Sequence, residues 1–239
     1  MGDQRAAAKE VRCVAPLVSL AGAQPTLIGP CMIVTNGDRA IAASSAELLR
    51  KATEPVVIYT RLDGSSSIPV TTWQVGLRTG IGIIEIPAGT SFSTDVHPLY
   101  LESILATLDT RGAPVAFVTF DAKLERRVIG VHVDNGDPSG DDPIWLATGT
   151  SDETTDVDGA PLFGWMPPDP VLGRGSEVVA VAIGVTYRNG ALTPRGTAPL
   201  AELVGLDDLA RALPWAEKTP PPRTELEQVT GEIGSPNKS

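Results

Sequence analysis

The chain has 239 residues, 42% of them apolar and only 5% aromatic, so its core has to be built from Val, Ile, Leu and Ala. A formal charge of −10, from 29 acidic and 19 basic residues, argues against a nucleic-acid partner, because phosphate binding needs a basic surface. No apolar run reaches the roughly 18 residues of a membrane helix. The opening residues 1–10 are charged and alanine-rich with no apolar segment after them, so the chain reads as cytoplasmic and without a signal peptide. The two cysteines, Cys13 and Cys31, read as reduced, buried thiols, with a single bridge between them as the alternative.

In chain order, residues 1–10 form a leader and Val11–Leu20 has strand character. Leu27–Val34 is a second apolar run. Asn36-Gly37 then signals a hairpin, because both residues tolerate positive φ, and Arg39–Ala43 is the returning strand. Ser44 and Glu47 have the spacing of a capping box, which predicts a short helix over 44–50. Val56–Arg61 and Ile68–Val75 read as strands, and Ile81–Ile86 is a nearly continuous apolar strand ended by Pro87. Leu99–Leu108 fits helix or strand equally by pattern.

Further strands are expected at Pro114–Phe120, Val128–Val133, Ile144–Ala147, Ala160–Trp165 and Val178–Tyr187. From Pro199 to Leu213 the period changes: Leu200, Leu203, Val204, Leu206, Leu209, Ala210 and Leu213 suit an amphipathic helix. Residues 216–239 hold Pro220-Pro221-Pro222, several charges and almost no core formers, and read as a disordered tail. About a dozen short strands at regular spacing argue for an all-β barrel or sandwich.

One stretch narrows this further. Val157-Asp158-Gly159-Ala160-Pro161-Leu162-Phe163 resembles the Gly-Asp-Ser-Gly-Gly-Pro-Leu-Phe loop of trypsin-like serine proteases, with Asp158 at the serine. Ile41-Ala42-Ala43-Ser44-Ser45 resembles the family's Thr-Ala-Ala-His-Cys, with Ser44 on the histidine and Ser45 on the cysteine. The family's partner cysteine lies near Cys31, so the usual bridge has lost one end. Gly80-Ile81-Gly82-Ile83-Ile84-Glu85-Ile86 resembles Asp-Ile-Ala-Leu-Leu-x-Leu, with Gly80 on the aspartate. The three places follow one another in the family's order. The resemblance covers about residues 11–215. It implies two packed antiparallel β-barrels, at 11–108 and 109–215, with the 199–213 helix ending the second.

Acyl transfer on that scaffold needs a nucleophile, a base that takes its proton and a group that orients the base. All three aligned positions are changed. Ser44 is no base at neutral pH, Gly80 has no side chain, and an ionised Asp158 only accepts hydrogen bonds. Asp156 falls where the family keeps the glycine of its oxyanion hole. Val157 replaces the aspartate that pairs with the new N-terminus on zymogen activation. The expectation is therefore a degenerate member, a pseudoprotease with no catalytic residues, no cofactor and no metal.

Plainer readings exist for each position. They are a helix N-cap for Ser44, a glycine opening a strand for Gly80, and a turn carboxylate bonded to nearby N–H groups for Asp158. His97, in a loop before Pro98, and His132, in the alternation Val131-His132-Val133, read as surface residues. Between Arg127 and Arg174 there is no Lys or Arg. The two acidic clusters of that span, Asp134 to Asp142 and Asp152 to Asp158, miss the calcium-loop spacing.

The expected role is protein binding as a scaffold, adaptor or regulator, with a partner whose surface is basic. The alternatives are a hydrolase with relocated residues, drawn from Ser44, Ser45, His97, His132 and Asp158, and an unrelated β-barrel binding protein. Deleting residues 217–239 is expected to leave the melting temperature within roughly a few degrees, by differential scanning calorimetry, because the segment lacks core formers. A large drop would show that it packs on the body.

Overall fold

The computed structural model describes residues 11–35, 37–75, 80–100, 115–135, 145–149, 155–166, 179–188, 191–192 and 201–205. Its first half contains β1 (Val14–Ser19), β2 (Thr26–Thr35), β3 (Ala40–Ser45), α1 (Ala46–Lys51), β4 (Val56–Tyr59), β5 (Ser67–Val70), β6 (Gln74–Val75), β7 (Ile81–Ile86) and β8 (Leu99–Tyr100). These strands form one curled sheet in the order β5-β4-β1-β2-β3-β7-β6, antiparallel throughout, with β8 running parallel to the end of β2. The second half contributes β9 (Val115–Phe120), β10 (Arg126–Asn135), β11 (Trp145–Gly149), β12 (Thr155–Asp156), β13 (Pro161–Met166), β14 (Val179–Arg188), β15 (Ala191–Leu192) and β16 (Ala201–Gly205). Here β10-β11-β16-β14-β13-β9 closes on itself as a barrel, and β12 pairs with β15 beside it.

The long apolar strands of the first sheet are explained by burial on both faces. Along β1, β2, β3 and β7, alternate side chains enter different clusters. Ala15, Leu17, Cys31, Ile33, Ala42, Ile84 and Ile86 fill the hollow of the first sheet. Val14, Met32, Val34, Ile41, Ala43, Ile81 and Ile83 turn the other way and meet Ala116, Val118, Phe120, Phe163 and Val185 of the second. A strand with no solvent face has no polar alternation to keep, which is why Ile81–Ile86 reads as nearly unbroken.

Local chemistry sets the turns. Gly37 takes a φ of 100° in the β2–β3 hairpin. Thr35 Oγ1 accepts the Gly37 N–H at 3.0 Å and donates to the Arg39 carbonyl at 2.7 Å, so one hydroxyl staples both sides of that turn. A polar tie also crosses between the sheets. The Arg126 guanidinium of β10 donates to the Asp95 carbonyl and, at 3.4 Å, to the Val14 carbonyl of β1.

Several expectations change. Among the described residues the first sheet is curled but not closed into a barrel. Its β5 edge carries Pro69, which has no N–H to offer a further strand, and at the other edge β6 pairs through only Gln74 and Val75. The helix expected over 199–213 is not found where the chain is described: Ala201–Gly205 is β16, inserted between β11 and β14. Closing the barrel demands a strand there, and tertiary pairing overrides the helical spacing. Residues 206–213 lie outside the described residues, as do the leader 1–10 and the tail 216–239. The single strand expected over 68–75 is two, β5 and β6, and Leu99–Tyr100 is strand.

Phe163 is 2% exposed and sits in the inter-sheet cluster. Phe163→Ala is expected to destabilise the fold by about 3–5 kcal/mol, read as a lowered urea midpoint with little change in slope.

Candidate functional site at the junction of the sheets

Three elements converge at one end of the junction. Ser44 and Ser45 end β3 and pair with Gly82 and Ile81 of β7. Gly80 stands immediately before β7 with a φ of 61°, and its carbonyl accepts the Ala46 N–H at 2.9 Å as α1 begins. From the second half, residues 157–160 form a β-turn closed by the Ala160 N–H to the Val157 carbonyl at 2.8 Å. Gly159 supplies its positive φ, 71°, as the third turn position requires. The turn lies directly on the first sheet: a Cβ on Gly159 would stand 2.4 Å from Ser44 Oγ and 3.0 Å from the Pro30 carbonyl oxygen. Thr186 holds the turn from behind, donating to the Ala160 carbonyl from both its N–H and its hydroxyl at 3.0 Å.

Ser44 is fully buried and its hydroxyl donates to the Pro30 carbonyl at 2.7 Å. The reading of Ser44 as a helix cap, with Glu47 completing a capping box, is therefore corrected. α1 starts at Ala46, its N-cap position is Ser45, and no side chain caps it. Ser44 is held in the strand by its pairing with Gly82. Ser45, also fully buried, gives its hydroxyl to the Asp158 carboxylate instead. Glu47 pairs with Lys51 one turn along the helix.

The Asp158 reading is corrected in detail as well. It is a turn residue, but its carboxylate bonds the Ser45 side chain rather than nearby N–H groups. The turn's N–H acceptor is Asp156, whose Oδ1 takes the Asp158 N–H at 2.9 Å. That N–H is one of the two that would form an oxyanion hole in the resembled family, and here a carboxylate already occupies it. Asp158 Oδ1 is buried with no hydrogen-bond partner among the described residues. Burial pushes the Asp158 carboxyl above its usual range, the Ser45 hydrogen bond pulls it back, and the negative charges of Asp156 and Glu47 push it further up.

Neither histidine is seen to join this cluster. His97 is exposed, its N–H bonds the Arg12 carbonyl at 2.8 Å, and it lines a cavity near the opposite end of β3. The backbone of His132 pairs with Thr148 in the second barrel, and its side chain lies outside the described residues. Cys13 and Cys31 are both free and buried, with the Cys13 thiol pushed up to about 12 by burial. Most of the two acidic clusters, including residues 136–142 and 152–154, lies outside the described residues. Among the described residues no group of carboxylates, thiols and imidazoles is arranged to hold a metal. No helix among them is long and apolar enough to cross a membrane.

Solved structures with this architecture are trypsin-like serine proteases. The trypsin-like fold is therefore this chain's fold. The Rv3671c protease of M. tuberculosis in its active form superposes with a TM-score of 0.54 at 16% identity, over 92% of this chain and 87% of that one. The protease domain of MamO from Magnetospirillum magneticum gives 0.55 at 11%, over 85% and 96%. The scabies mite inactivated protease paralogue S-I1 gives 0.54 at 15%, over 86% and 94%. No protein-family model and no curated protein sequence matches the chain. At these identities the likeness establishes the fold alone. It also corrects the expectation that the chain is no enzyme: its fold neighbours include active proteases, and substitutions at three aligned positions do not exclude activity on a scaffold that carries it.

Asp158→Asn keeps the shape and an acceptor for Ser45 but removes the charge. The folded-state carboxyl titrates above the unfolded one, so the native state holds the proton more tightly. Its contribution is most favourable below the unfolded value near 3.8 and is lost as pH rises through the folded value. The variant is therefore expected to melt within about a degree of the parent near pH 3.5 and roughly one to a few degrees higher at pH 7. A melting-temperature difference that does not change with pH would show that the charge carries no penalty.

Proposed function

We propose that this chain uses its trypsin-like fold to bind another polypeptide, as a scaffold, adaptor or regulator in a reducing, cytoplasmic setting. One observation carries the reading. The polar groups at the junction are committed to one another: Ser44 to Pro30, Ser45 to Asp158, and Asp156 to the turn N–H. A junction tied in this way is a rigid platform, and rigid platforms lower the entropic cost of binding. The net charge of −10 favours a partner with a basic surface and disfavours nucleic acid.

A second reading, a hydrolase with relocated residues, is favoured by the same Ser45–Asp158 contact. A serine hydroxyl bonded to a carboxylate whose proton affinity is raised has two of the parts that nucleophilic catalysis requires.

One paired experiment separates the two. The tagged chain is used for affinity capture from its native host, and any enriched protein is re-tested with purified components by calorimetry at low and high salt. In parallel the chain is treated with a fluorophosphonate probe and with casein. The binding reading expects a partner whose affinity falls about tenfold or more from 50 to 300 mM salt. Probe labelling abolished by Ser45→Ala would replace it with the hydrolase reading, and a lack of any reproducible partner would remove the binding one.

A further inference from the structure

The turn between β9 and β10, residues 121–125, reaches back to the first sheet. Asp121 organises it. Its Oδ1 accepts the Lys123 N–H at 2.9 Å and the Glu125 N–H at 3.0 Å, and its Oδ2 accepts Arg127 Nε at 2.9 Å. Its carbonyl accepts the Leu124 N–H at 2.9 Å. Each of these bonds stays within residues 121–127, and the β9–β10 ladder starts beyond the turn at Phe120 and Arg126. The turn can therefore rearrange without disturbing the ladder.

Leu124 has a φ of 62°, and among the described residues no other non-glycine has a positive φ. Glycine is the ordinary occupant of such a position in a hairpin turn, because a Cβ there crowds the backbone. The leucine side chain finds its compensation across the molecule: it packs on Val18 of β1 and on Val57 and Tyr59 of β4. Val18 and Val57 are directly paired, and Tyr59 lies two residues further along β4, so the three share one face. That face is opposite the one that carries Val56 and Ile58 into the hollow of the first sheet. The strip is small but buried, with Val18 at 0% and Val57 and Tyr59 at 7% exposure. Gly64 also lies close to the Tyr59 ring, where a Cβ would stand 3.2 Å from it.

The seat is held by one side chain. Leu124 is half-buried, while Ala122, Lys123 and Glu125 beside it are exposed. A strained residue persists only while its surroundings hold it, and giving up the contact returns the strain. A contact this small opens at far lower cost than the sheets it joins.

We propose that the β9–β10 turn is a releasable latch. In the latched state Leu124 sits on Val18, Val57 and Tyr59. In the released state the turn lifts, Leu124 relaxes to negative φ, and the strip on the first sheet is bared. Arg126, at the root of the turn, keeps its hydrogen bonds to the Val14 and Asp95 carbonyls, so the motion stops there. In the sheet order β1 and β2 separate β4 from β3, so the latch is distinct from the Ser45–Asp158 contact and its failure would leave the proposed function standing.

The test is fluorine NMR of the full chain labelled with 3-fluorotyrosine. The chain has three tyrosines, and Tyr59→Phe assigns the signal of interest. In the parent chain the Tyr59 signal is expected to show exchange with an accessible state populated at about 1–10%, by relaxation dispersion and by broadening with a soluble gadolinium chelate. Leu124→Ala removes most of the contact and keeps the strain, so it is expected to raise the released population strongly. Leu124→Gly removes both, so its released population is expected to be at least about threefold below that of Leu124→Ala. A Tyr59 signal without exchange in the parent, equal released populations in the two variants, or exchange with the urea dependence of global unfolding would overturn the proposal.

Discussion

The molecule depends on burial of the outer face of its first sheet against the second. Val14, Met32, Val34, Ile41, Ile81 and Ile83 would be solvent-exposed on a free curled sheet, and Phe120, Phe163 and Val185 cover them. At about 25 cal/mol for each Å² of apolar surface removed from water, a contact of this kind is worth more than any single polar interaction nearby. The half-buried Arg126 guanidinium adds direction rather than strength: burial lowers its pKa, and it still donates across the junction to Val14 and Asp95.

Everything at the candidate site follows from that contact. Ser45 lies on β3 and Asp158 on a turn of the second half, so they meet only because the two sheets are pressed together. The turn comes close enough that a side chain at Gly159 would collide with Ser44. Small residues at this end of the junction permit the approach, and the hydroxyls of Ser44 and Ser45 then find acceptors within the protein. Among the described residues Oδ1 of Asp158 is buried without a hydrogen-bond partner.

Much of the fold was legible along the chain because its cause is local. Ile81–Ile86 is a strand at both bounds, the Asn36-Gly37 signal sits at a real hairpin, and the glycine before β7 has positive φ. The resemblance around residues 157–163 pointed to the trypsin-like fold, and the order of the three motifs placed Ser44, Gly80 and Asp158 in one neighbourhood. Other features escaped because their cause is remote. The strand at Ala201–Gly205 exists to fill the gap between β11 and β14, and its apolar spacing alone suits a helix. Ser44 looked like a helix cap because its preference for the strand comes from Gly82 and Pro30, distant in sequence. Ser45 as the partner of Asp158, and Asp156 as the acceptor of its N–H, carried no signal that one-dimensional spacing could reveal.

The amino-acid sequence by itself determined where most of the strands lie, that the β2–β3 turn carries a glycine, and that the three motif positions hold Ser, Gly and Asp. Those are properties of neighbouring residues and of the pattern's period. Only the tertiary structure decided which hydroxyl bonds which carboxylate and that strands of the second half close into a barrel. Each of these depends on groups far apart in the chain being brought within hydrogen-bond or van der Waals range, and those interactions act only across a few ångströms.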